Sequence, residues 1–221
     1  MRSVVHGALL LVVLGSFAEV QAQGGDRPAA APVALVAQEP PVAELSDLRA
    51  HPLRWRGRTA RVVVQLGPER TSWEPGLTRF DQRRFRAWAA WSDDARLWHA
   101  DQHADPLPGL YVRRDADAAR TLAAAGAYTR LELDLVLRAV SGGEAWIEVT
   151  AARRLPRAVG EGTLIHAGRA RAFLAEGQPA AAAAELERAL AAPLPDRHRA
   201  ALEEERAVAL ARARREAERA R

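Results

Sequence analysis

His99, Asp101, His103 and Asp105 alternate through residues 99–105, the densest grouping of imidazole and carboxylate in the chain. On an extended backbone, side chains two apart share a face. The four would then converge, and imidazole with carboxylate suits zinc or another divalent cation. The grouping lies between Trp98 and Pro106, in a polar stretch that reads as a loop. It has neither the helical spacing of metalloproteases nor that of zinc fingers. A solvated loop is the preferred reading, and a metal-dependent envelope enzyme built on these four residues is kept as an alternative.

Other chemistry is sparse. Asp93 and Asp94 read as a turn, and Glu132 and Asp134 fall on the wet side of a strand, so neither pair suggests acid–base work. Ser72, Ser92 and Ser141 sit in no nucleophile elbow. Gly142 and Gly143 form a hairpin turn rather than a phosphate-binding loop. The chain has no Cys, which excludes disulfides, thiolate metal sites and a lipid-anchored N-terminal cysteine. The expectation is a non-enzymatic protein without a cofactor and with no catalytic residue.

Six Trp, at 55, 73, 88, 91, 98 and 146, are many for a chain with 5% aromatics. Core and rim packing accounts for most of them. A sharper reading is a stacking platform for sugars or bases, with Arg83, Arg84, Arg86 and Arg96 around Trp88 and Trp91.

The 221 residues carry a formal net charge of +4. All 32 basic residues are Arg, and Asn is absent. Such usage reflects a GC-rich coding bias, and acids and bases are interleaved, so a generic solvated surface is expected rather than a nucleic-acid footprint. Arg2, the apolar run 7–18 and small residues at Val20 and Ala22 form a secretory signal peptide over residues 1–22, cut before Gln23. The run is too short to span a bilayer. Residues 23–41 are rich in Pro and Ala and read as a flexible linker. The expected location is periplasmic or secreted, with no lipid anchor and no transmembrane helix in the mature protein.

These side chains must be positioned by elements that hydropathy patterning places as follows. A short helix is expected over 43–50, and strands over 58–66, 85–92 and 110–113. A helix capped by Asp115 or Asp117 spans 115–125. A hairpin of 128–140 and 145–151 follows, with Leu131, Leu133, Leu135 and Leu137 on one face. From residue 163 the period changes to about 3.6. Helices are expected over 163–176 and 179–191, joined at Gly177, and a third is capped by Asp196.

The order of three strands, helix and strand hairpin over residues 42–157 resembles an oligonucleotide/oligosaccharide-binding (OB) fold, a five-stranded barrel. That resemblance implies ligands across the second and third strands, nearest Trp88, Trp91 and Tyr111. Residues 160–221 contain a segment similar to a tetratricopeptide repeat (TPR). Ala170, Phe173, Gly177, Ala182, Leu186 and Ala189 match its pattern, while His166 and Arg169 depart from its apolar positions. The resemblance implies a protein partner contacted through Phe173 and Leu186. A single repeat cannot bury its own face, so these helices must pack on the barrel or on another chain.

The fold class expected is therefore α+β: a small OB-like barrel followed by a TPR-like hairpin and a third helix. The function expected is an exported binding or scaffold protein with a protein partner on the helices and a possible glycan or peptide ligand on the barrel. A glycan- or single-stranded nucleic-acid-binding module is a further alternative, with nucleic acid disfavoured by export.

Overall fold

A computed structural model describes residues 39–221, apart from 75, 77, 78 and 142. The residues expected to form the signal peptide, and most of those expected to form the linker, lie outside the described residues. The unit Glu39–Arg221 contains a barrel and three further helices.

Period-two patterning produces five strands: β1 (Thr59–Arg70), β2 (Phe85–Ser92), β3 (Leu107–Arg113), β4 (Arg130–Ser141) and β5 (Glu144–Arg154). They close in the order β1-β2-β3-β5-β4, and β4 returns to β1. All pairings are antiparallel except β3 with β5, where Leu110 stands opposite Ile147. Ala60, Val62, Val64 and Leu66 of β1 point inward, as do Leu131, Leu133, Leu135 and Leu137 of β4, all buried. Each buried Leu or Val contributes about 1.5–3 kcal/mol. Outside, charges pair across strands: Arg61 donates from Nε to Asp134 at 2.7 Å, its register partner.

Among the described residues, four short helices flank the barrel: α1 (Leu45–Ala50), α2 (Pro52–Trp55), α3 (Ala100–His103) and α4 (Asp117–Ala123). Leu45 and Leu48 of α1, and Ala118, Ala119 and Leu122 of α4, join the barrel core. The cap differs from expectation. Ala116 occupies the N-cap of α4 without a side-chain bond, because Asp115 is held by the Arg113 guanidinium at 3.0 and 2.8 Å. β1 also runs past Gly67 and Pro68, where a stop was expected. The register shifts between Leu66 and Glu69, a bulge that absorbs the Pro. A Cβ on Gly67 would meet Ala89 at 2.9 Å.

Beyond the barrel lie α5 (Glu161–Ala175), α6 (Pro179–Leu190) and α7 (Asp196–Arg219). Gly177, at φ 72°, makes the turn between α5 and α6, and Pro179 suits the first turn of α6. Small side chains let these helices pack closely: Ala167, Ala170, Ala182, Ala189 and Ala209 are fully buried around Leu186 and Leu202. Asp196 begins α7, but Pro195 is its N-cap and no side chain caps it. Asp196 instead accepts from Arg157 at 2.7 Å. His166, at odds with an apolar pattern, meets Glu185 Oε2 through Nδ1 at 2.7 Å, and Arg188 pairs with the same carboxylate. The His166 hydrogen bond chiefly holds Glu185 below the ordinary carboxylate range.

The helices rest on the barrel through the connection between β2 and β3. Trp98 is buried in the helical core and donates from Nε1 to Glu205 at 3.0 Å. Gln65 of β1 is 0% exposed and His198 of α7 is 1% exposed. The Gln65 amide donates to Ala95 O at 3.1 Å, and His198 Nε2 lies 3.3 Å from the same oxygen. Among the described residues, no helix is long and apolar enough to cross a membrane.

Candidate functional site: an aromatic cleft on the barrel wall

Strand alternation that turns Leu110 and Val112 inward turns Gly109 and Tyr111 outward on β3. On the adjacent β5, Ile147 is inward and Trp146 outward. The two outward rings lie 5.9 Å apart at 28°. Trp73 and Phe80, which lie between β1 and β2, cover this wall. Phe80 stacks on Tyr111 with ring centroids 4.2 Å apart at 16°, and Trp73 meets Tyr111 edge-on at 5.5 Å. Local hydrogen bonds hold this segment: Trp73 Nε1 donates to Phe80 O at 2.7 Å, and Gln82 Nε2 to Trp73 O at 2.6 Å.

These pieces leave a cleft of about 460 Å³ whose walls include Trp73, Tyr111 and Trp146, with Arg70, Glu74 and Glu144 at its polar edges. Its flanks are the β1–β2 segment and the start of β5 after the hairpin turn. Arg70 is fixed by donation from Nη1 to Pro108 O at 2.6 Å. Glu74 and Glu144 form no ion pair among the described residues and are exposed. The Trp146 indole nitrogen is buried with no hydrogen-bond partner among the described residues, a state that costs about 1–3 kcal/mol. Burial pushes the Tyr111 phenol above its ordinary value, so it remains a neutral hydroxyl. The cleft thus combines apolar ring faces with donors and acceptors, a mixture that can hold a small ligand.

Of the ligand-binding residues expected from the barrel resemblance (Trp88, Trp91 and Tyr111), Tyr111 lines this cleft. Trp88 points into the barrel, 3% exposed, with the Arg86 guanidinium 4.7 Å from its ring centroid. Trp91 faces outward but is covered: its Nε1 donates to His103 O at 3.0 Å and its ring stacks on Tyr128 at 5.7 Å. Trp73 and Trp146 were noted among the six Trp but not assigned to a ligand site, and Arg70 and Glu144 were not singled out. Trp146 was legible, since it precedes the inward Ile147; Trp73 stands in an aperiodic segment, so only its residue type, and not its direction, was legible.

The His99–Asp105 grouping does not converge. Residues 100–103 form the helical turn α3 rather than extended chain, so residues two apart diverge. His99 Nε2 lies 3.2 Å from Glu205 Oε1 and His103 Nε2 lies 3.1 Å from Tyr128 Oη. Asp105 accepts from Arg49 at 2.9 Å, and Asp101 joins none of these contacts. Among the described residues no three His, Cys, Asp or Glu side chains gather as metal ligands. On the helices, Leu186 is fully buried and Phe173 is half-buried against the same core, so the contact surface expected at Leu186 is taken up by α5, α6 and α7 themselves.

A hollow beside α2 is lined by Pro52, Leu53 and Val140 together with His51 and Arg54. Comparison with protein-family models, with curated proteins and with solved structures finds no match for this chain.

Proposed function

We propose that the chain is an exported, non-enzymatic binding protein whose barrel holds a saccharide in the Trp73–Tyr111–Trp146 cleft. The observation that carries this reading is the cleft itself: three aromatic walls with Arg70, Glu74 and Glu144 at the edges. Ring faces suit the apolar faces of sugars, and the carboxylates suit hydroxyl groups. The same two carboxylates disfavour a phosphodiester backbone, which needs cationic partners. The strand order supports an OB-like barrel, and the cleft lies between the two loops that flank the ligand face of that fold.

The experiment is calorimetric titration of the intact chain with a panel of neutral oligosaccharides. Saturable binding that weakens about tenfold in Trp73→Ala, as for an aromatic anchor, supports the reading. No binding to any saccharide in the panel overturns it.

A second reading, a protein partner on TPR-like helices, is favoured by Ile165, Val208 and Leu210, which are 46%, 45% and 42% exposed. Capture of a protein partner by the intact chain, lost in Val208→Glu, supports that contact; capture unchanged in Val208→Glu counts against it.

A further inference from the structure

Trp73, Arg70 and Gln82 have a second side. Behind them lies a cavity of about 300 Å³ whose lining includes Arg70, Arg83, Arg86 and Arg114, with Glu69 as the one carboxylate among its described lining residues. Glu69 is already engaged: Arg86 donates to it from Nε at 2.8 Å and from Nη2 at 2.6 Å. That hydrogen-bonded pair, chiefly, draws Glu69 below its ordinary range. Arg70, Arg83 and Arg114 are left without a carboxylate ion pair among the described residues. Arg114 donates from Nε to Gln82 O at 3.0 Å, and Arg70 from Nη1 to Pro108 O at 2.6 Å. Each guanidinium has five N–H donors, so these anchoring bonds fix the heads and leave donors to spare. The anchors also tie the cavity to the cleft, since Gln82 in turn donates to Trp73 O.

We propose that this arginine cavity is an anion subsite and that the saccharide bound by the cleft is acidic, its carboxylate or phosphate held by Arg83, Arg114 and Arg70. The inference rests on the saccharide reading of the cleft. A sugar ring against Trp73 is close to both cavities, because Trp73, Arg70 and Gln82 form part of the lining of each. The two sides differ in charge. Glu74 and Glu144 stand on the cleft side, and unpaired guanidinium groups on the other. A ligand that carries hydroxyls along one part and an anion at another matches this division, whereas a uniformly charged strand of nucleic acid does not. Charge-assisted hydrogen bonds to the anion are the strongest contacts such a site can offer.

The test is titration of the intact chain with uronate-containing oligosaccharides, with their carboxyl-reduced counterparts, and with a single-stranded oligonucleotide. Supporting the proposal, the acidic form binds at least about tenfold tighter than its reduced counterpart at low salt. The difference shrinks as salt is added and disappears in Arg83→Ala with Arg114→Gln, while binding of the reduced form persists. If the double variant melts early, Arg83→Ala alone, an exposed side chain, serves. Equal binding of acidic and reduced forms overturns the anion subsite and leaves the cleft reading standing. Absence of binding by both overturns the two together. Tighter binding of the oligonucleotide than of the acidic saccharide overturns the proposal in favour of nucleic acid.

Discussion

Gly109 lies directly beneath the ring of Tyr111, two residues along β3. A Cβ placed on Gly109 would stand 2.7 Å from Tyr111 Cε2 and 2.8 Å from its hydroxyl oxygen. The ring cannot swing away freely, because Phe80, Trp73 and Trp146 pack around it. The missing side chain is what lets the tyrosine lie back along its own strand and form the cleft wall.

Gly109→Ala is therefore expected to displace the Tyr111 ring and to destabilise the fold by about 1–3 kcal/mol, the usual cost of overpacking. Chemical denaturation measures the loss. Saccharide binding should weaken in the same variant, while Tyr111→Phe, which keeps the ring, should retain most of the stability.

Trp98 is a second point of dependence. It leaves the barrel connection, enters the helical core and binds Glu205. Trp98→Ala should cost about 3–5 kcal/mol, as for other large aromatic truncations. Trp98→Phe keeps most of the packing and should cost less. Amide exchange should show the loss spread over α5, α6 and α7 as well as residues 93–99; protection unchanged in the helices would contradict an anchoring role.

His198 makes stability depend on pH. Burial, first among its causes, holds its imidazole below the ordinary value of 6.5. The unfolded chain takes up the proton first on acidification, so the unfolded state gains as pH falls. This contribution is complete above pH 6.5 and is lost from there down towards the folded-state value. Melting temperatures between pH 7.5 and 5, about the range in which His titrates, should fall more steeply for the native chain than for His198→Gln.

Asp93 and Arg130 close the barrel end beneath the helices. Arg130 donates from Nε at 2.6 Å and from Nη2 at 2.8 Å, and both side chains are mostly shielded from water. The hydrogen bond to Asp93 is the main reason that the Arg130 guanidinium is raised above its ordinary value. Asp93→Ala leaves that guanidinium unpaired and should cost about 1–3 kcal/mol. A double-mutant cycle with Arg130→Ala should recover part of that cost as coupling.

The barrel was largely legible in the sequence because its strands are amphipathic. Leu131 to Leu137 alternate with Arg130 to Arg138, and both faces of that alternation are realised. The helices were legible from Gly177 and Pro179. What escaped were features set by distant partners. Residues 100–103 read as a loop, yet α3 forms where Trp91 can donate to His103 O. Trp73 and Phe80 sit in a segment without period, and their position follows from the Tyr111 ring, distant in sequence but in contact in space, rather than from local propensity. Arg83 and Arg86 were noticed but attached to Trp88 and Trp91 rather than to Trp73, and nothing in the spacing says that Glu69 is claimed by Arg86.

The connection between β2 and β3 carries a consequence for how such a chain could be recombined. It sends Trp98 into the helices and His103 onto the barrel wall within six residues. A barrel excised by its strand boundaries would keep a tryptophan shaped for helices it no longer has. Helices transplanted without that loop would lack their central ring. The two halves can be inherited separately only if the plug and its socket travel together.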